Sequence, residues 1–146
     1  MNEIDYNRNT LKNYYFWKNK ERELREKAME LQDKVDDERE IRGINCEKEP
    51  SGKCSGDTPY INKLIIEQAT YQKRADNCLY HVDMLDTQHR IGKKVKQLNE
   101  SERQVITMLY AEGMSYADIA NRMHRDVKTI RKIEFNAIKN MNMTVV

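Results

Sequence analysis

An all-α chain is written in three features of this sequence, which together place a long antiparallel, coiled-coil-like helical hairpin ahead of a small three-helix unit. The first is composition: 34% charged and 38% hydrophobic residues with 5 Gly and 2 Pro allow few turns and favour long exposed helices. The second is periodicity, because apolar residues recur at steps of three and four through two long stretches. The third is the density of helix start and stop signals between Leu98 and Met141.

Residues 1–9 carry little signal and are expected to fray. From Thr10, the apolar positions Leu11, Tyr14, Trp17, Leu24, Ala28, Leu31 and Val35 hold one helix face while Lys, Arg and Glu cover the others. Glu21 with Arg25, Glu23 with Lys27 and Glu30 with Lys34 stand four apart, acid first, the favourable order for helix pairs. Gly43 marks the end, and the stretch to Pro59, with Pro50, Gly52 and Gly56, reads as a loop. Asp57 or Thr58 then caps a second long helix with Pro59 in its first turn. Its stripe of Ile61, Leu64, Gln68, Tyr71, Ala75, Cys78, Val82, Leu85 and His89 is a heptad seam.

Two long helices joined by one loop fold most simply as an antiparallel hairpin. The cluster Tyr14, Tyr15, Phe16 and Trp17, with Ile65 and Ile66 beside the second seam, offers more apolar surface than two helices can hide. A homodimer through residues 1–97 is therefore expected, with residues 98–146 as a separate domain. Gly92 is read either as a hinge between the two or as a tolerated interruption of one helix. Lys93, Lys94 and Lys96 stand just before the small helices.

In the C-terminal run, Asn99 and Glu102 form a capping box and Gly113 closes the first short helix in a left-handed conformation. Ser115 with Asp118 opens the second, and Asp126 caps the third. Val105, Met108 and Leu109, then Ile119, Ala120 and Met123, then Ile130, Ile133, Ala137 and Met141 form three stripes that must be buried against one another. Ala120 is small enough for a close helix crossing. Outside on the third helix remain Lys128, Thr129, Arg131, Lys132, Phe135, Asn136 and Lys139, a ridge about the width of a major groove. Charge follows the same division: residues 1–57 hold 12 Lys and Arg against 14 Asp and Glu, residues 58–87 hold 3 against 4, and residues 88–146 hold 11 against 6.

At these residues a resemblance becomes specific. Leu98, Glu100 to Arg103, Tyr116 with Ile119 and Ala120, Thr129 to Glu134, and Asn136-Ala137-Ile138 resemble the DNA-reading helix-turn-helix of bacterial primary sigma factors, their region 4, over the last third of the chain. In layout, and in the opening Asn7 to Lys20, the chain is similar to small sigma-like late-gene activators of the ArpU and RinA type from phages and prophages of low-GC Gram-positive bacteria. The resemblance implies a phage transcription regulator acting in the host cytoplasm, with RNA polymerase as a further partner.

The residues then take roles. Lys128, Arg131 and Lys132 project from the first turns of the third helix, where Arg and Lys suit the O6 and N7 acceptors of guanine, and Thr129 lies among them. The matching positions in sigma factors face the groove. This chain departs from the family pattern where Lys128 replaces an acid and Val127 a base, so its DNA target differs from the usual promoter element. Asn136 and Lys139 reach phosphates. Ser115 and Tyr116 present hydroxyls and backbone N–H groups to a phosphate, and Arg122 and Arg125 extend that clamp. Phe135 either meets a thymine methyl or packs back on the hairpin, the second being favoured.

Other chemistries find less support. Cys46, Cys54, Cys78 and His81 suggest zinc, but Cys78 lies roughly 30 Å along a helix from the loop that holds Cys54, so no metal site or other cofactor is expected. Unpaired cysteines in a reducing compartment are the simpler reading. No glycine phosphate loop, serine elbow or His-carboxylate constellation marks an enzyme. No segment has the roughly 18 apolar residues of a membrane span. The leading reading is a sequence-specific regulator binding double-stranded DNA. The alternatives are a small terminase-like packaging protein, which would form rings, and an adaptor that docks on polymerase without touching DNA.

Overall fold

The computed structural model describes residues 2–44 and 56–143. Cys46 and Cys54, with Pro50 and Gly52, lie outside them. The described residues form only helices: α1 Glu3–Ile41, α2 Pro59–His89, α3 Ile91–Gln97, α4 Glu100–Ile106 running into a π-helical turn Thr107–Ala111, α5 Tyr116–Met123 and α6 Val127–Asn140. The chain divides into two compact units, one of residues 20–79 and one that joins residues 1–19 to residues 80–146.

In the first unit the middle of α1 runs antiparallel to the first half of α2. Arg25 pairs with Asp76 at 3.0 Å, Gln68 donates to Gln32 at 2.7 Å, and Arg39 grips Asp57 through two bonds of 3.0 and 2.8 Å. Leu31, Val35, Ile61 and Leu64 are buried together, and Leu24, Ala28, Ala75 and Cys78 continue the seam. The three-four spacing found these positions because each turn of a helix returns one side chain to the partner. Thr58 is the cap of α2, accepting from the Ile61 N–H at 3.2 Å. Of the expected acid-first pairs, Glu21 does bond Arg25, whereas Lys27 lies over the Tyr71 ring at 5.7 Å.

In the second unit the start of α1 is helical from Glu3 and is built into the core, which corrects the expectation that residues 1–9 fray. Asn7 is buried; its side-chain amide donates to the Ile138 carbonyl at 3.2 Å and its oxygen accepts from the Met143 N–H at 3.3 Å. Leu11, Tyr14 and Tyr15 share one apolar cluster with Ile91, Leu98, Ile106, Ala137, Ile138, Met141 and Met143. Burial raises the Tyr15 hydroxyl to about 12. Trp17 stacks on His81 with ring centroids 4.1 Å apart.

The break between α2 and α3 falls at Arg90, which takes a left-handed φ of 54°, and not at Gly92. Asp86 stabilises the turn, its carboxylate accepting from the Gly92 N–H at 2.9 Å. His89 is buried against the Met143 carbonyl at 2.6 Å. Lys94, one of the three linker lysines, donates to the Asn142 carbonyl, and partial burial lowers its ammonium pKa.

Candidate nucleic-acid interface

The three small helices are assembled by the caps that their sequence encodes. Asn99 accepts from the Glu102 N–H at 2.8 Å, Ser115 from the Asp118 N–H at 3.2 Å, and Asp126 from the Thr129 N–H at 2.8 Å. The Thr129 hydroxyl and N–H hold the Asp126 carboxyl below its ordinary value. Gly113 has the left-handed φ of 69° that ends the first helix. The turn between α5 and α6 uses a left-handed His124, φ 55°, with the Arg125 N–H bonded to the Ala120 carbonyl at 3.0 Å. Histidine tolerates that conformation better than most residues, but it gives no glycine-like signal, so this turn was visible only as a short gap between stripes.

Val105, Ile119, Ala120 and Ile130 form the buried centre of the unit, and Met108, Leu109, Met123 and Ile133 pack around it. The stripes meet there, but Ala137 and Met141 of the third are buried in the cluster of Leu11, Tyr14 and Tyr15 from α1, a partner the spacing of the small helices does not announce. On the outside of α6, Lys128, Arg131, Lys132, Asn136 and Lys139 are exposed and Thr129 is half-buried. Glu134, the single carboxylate within α6, points inward with its side chain 1% exposed. The outer face of α6 therefore carries cations and amides and no acid.

Glu134 is saturated from two directions. Arg8 donates to both of its oxygens at 2.9 Å, and the Tyr110 hydroxyl donates to one at 2.9 Å. The pairing raises the Arg8 guanidinium above its ordinary value, while burial, reinforced by the Glu134 charge, raises the Tyr110 hydroxyl. Tyr110 stands on the π-helical turn, where the Glu112 N–H reaches back five residues to the Thr107 carbonyl at 3.0 Å. Such turns recur at functional sites. Asn19 bonds the Ala111 carbonyl at 2.9 Å at the same turn. Neither Arg8 nor Asn19 was singled out from the sequence, because a pairing 126 residues distant leaves no local pattern.

Ser115 is exposed and Tyr116 half-buried at the start of α5. The Arg131 guanidinium lies 5.3 Å from the Tyr116 ring centroid, so the structure brings these two together across the helix-turn-helix. Burial, then the Glu134 charge, raises the Tyr116 hydroxyl, which stays a donor at neutral pH. Arg122 is exposed but engages Glu112 at 3.5 Å and the Met114 sulfur at 3.7 Å, leaving its charge partly committed. Arg125 is exposed. Phe135 is 44% exposed beside Phe16 in the lining of a shared cavity. Among the described residues no cluster of His, Cys, Asp and Glu has metal-binding geometry, and no helix is long and apolar enough to cross a membrane.

Residues 88–141 match the family model for Sigma-70, region 4, a little over a third of the chain running from the last turn of α2 to the end of α6. No curated protein and no solved structure matches the chain. The C-terminal part is thus a region-4-like helix-turn-helix, a DNA-binding and transcription-related domain.

Proposed function

We propose that this protein is a sequence-specific transcription regulator whose α6 enters the major groove of duplex DNA. The observation that carries the reading is the outer face of α6, where four cations stand exposed while Glu134 is turned inward. Arg131, Lys132 and Lys128 contact base edges, with Thr129 beside them. Ser115, Tyr116, Arg122, Arg125, Asn136 and Lys139 contact phosphates. Residues 98–146 read DNA, and residues 1–97 hold two copies together. A dimer would present two reading heads to a two-fold site.

Two finer statements belong to the same proposal. By its layout and its opening residues, the protein activates late genes of a phage or prophage from the host cytoplasm. Activation is supported by contact with RNA polymerase, as the region-4 likeness suggests. The apolar face at Ile106, Ala137 and Ile138 is closed to such a contact, because Leu11, Tyr14 and Tyr15 of the same chain cover it.

The test is selection of bound fragments from fragmented host and phage DNA by the purified full chain at physiological salt. Enrichment beside a late promoter supports the reading. Enrichment at a packaging site points to the terminase-like alternative, and no enrichment at all removes DNA reading.

A further inference from the structure

In the unit that joins the start of α1 to the C-terminal helices, an open cleft of about 860 Å³ is lined from α1 by Arg8, Lys12, Phe16 and Asn19, and otherwise by the π-helical turn, Tyr116 and α6. That volume suits a small organic ligand. Its lining combines two chemistries. Phe16 and Phe135 are large aromatic side chains 59% and 44% exposed, and Tyr110 and Tyr116 join them on the wall. Lys12 and Arg131 are exposed cations with no carboxylate partner among the described residues, whereas the cavity's one carboxylate, Glu134, has both oxygens occupied by Arg8 and one also by Tyr110. The unneutralised charge in the cavity is therefore positive, and it stands beside unburied aromatic surface. Arg131 already rests on a ring, that of Tyr116.

We propose that this cavity binds a planar aromatic anion, with its ring against Phe16 and Phe135 and its carboxylate, sulfonate or phosphate held by Lys12 and Arg131. An apolar body with one anionic end satisfies both linings, since stacking buries the rings and the cations lose their unpaired state. The site stands on the cavity alone. Its consequence rests on the DNA-reading proposal: a ligand that occupies Arg131 removes a groove-reading side chain, so ligand and DNA weaken each other by the same factor.

The experiment is calorimetric titration of the full chain with 2-naphthoate, using neutral 2-naphthylmethanol as its control. Binding at one site per chain is expected, about tenfold weaker for the neutral analogue and about five- to thirtyfold weaker in Phe16→Ala and in Lys12→Ala. Both substitutions are at exposed helix positions outside the DNA ridge. Absence of binding at low millimolar naphthoate, equal binding of the neutral analogue, or unchanged affinity in both variants overturns the site. Naphthoate should also weaken DNA binding by wild type, and Lys12→Ala should need about five- to thirtyfold more naphthoate for the same effect. If naphthoate binds as described but the chain ignores DNA, the site holds and the DNA reading falls. If DNA binds and naphthoate does not, the reverse holds.

Discussion

Arg131 rests over Tyr116 and faces solvent beside Lys132, whereas Arg122 is drawn toward Glu112. Their contributions to DNA binding should differ accordingly. Arg131→Ala is expected to cost about 1–3 kcal/mol and to relax the base preference, while Arg122→Ala weakens every sequence alike and flattens the salt slope. Equal behaviour across a panel of duplexes would remove that division. The caps act on stability instead. Asn99→Ala deletes the acceptor for the Glu102 N–H and should lower unfolding free energy by about 1 kcal/mol in urea titrations. Asp126 titrates below its ordinary value of 3.8 in the folded chain, held there by Thr129. Its contribution is therefore complete above that value and disappears as the pH falls below it. Thermal melts should show a loss in this window that is smaller in Asp126→Asn. These caps were legible because each is a short polar side chain three residues before the N–H it receives. His124 was not, since its left-handed turn comes from the bonds around it and from no glycine.

At the scale of elements, α6 has an exposed cationic face and a buried face that includes one charge. Glu134 is 1% exposed and Arg8 33% exposed, so removing Arg8 leaves a buried carboxylate held, among the described residues, by the Tyr110 hydroxyl alone. Arg8→Met is expected to destabilise the chain by about 2–3 kcal/mol, less than for a wholly buried pair, and Arg8→Met with Glu134→Gln to restore at least half of that. Equal losses in the single and double variants would show that the arginine acts through packing alone. The seams of α1 and α2 were legible from Leu11 to His89 because helix periodicity repeats a local rule. The first turns of α1 were not. Asn7 and Arg8 are polar residues whose partners Ile138 and Glu134 lie far along the chain, and nothing nearby records that pairing. The π-helical turn was equally hidden, its five-residue reach setting Tyr110 against Glu134.

For the whole molecule, the charge division, the cap pattern and the sigma-like residues of the last third placed a helix-turn-helix where the region-4 family model matches. The compact units follow other boundaries, since residues 1–19 supply Leu11, Tyr14 and Tyr15 to the cluster that holds Ala137 and Ile138. Such long-range burial is invisible to a reading made window by window. Met29, Ile41, Tyr60 and Ile66 remain exposed on the hairpin unit, surface that self-association would cover. Light scattering at tens of micromolar is expected to give a dimer, and a monomer would end that part of the proposal. The central claim concerns the outer face of α6, and fluorescence anisotropy with a selected genomic duplex measures it most directly. Binding that falls steeply with added salt and is at least about a thousandfold tighter than to scrambled duplex at physiological salt is the expected result. Equal affinity for both duplexes, or an Arg131→Ala, Lys132→Ala variant that binds as tightly as wild type, would contradict it.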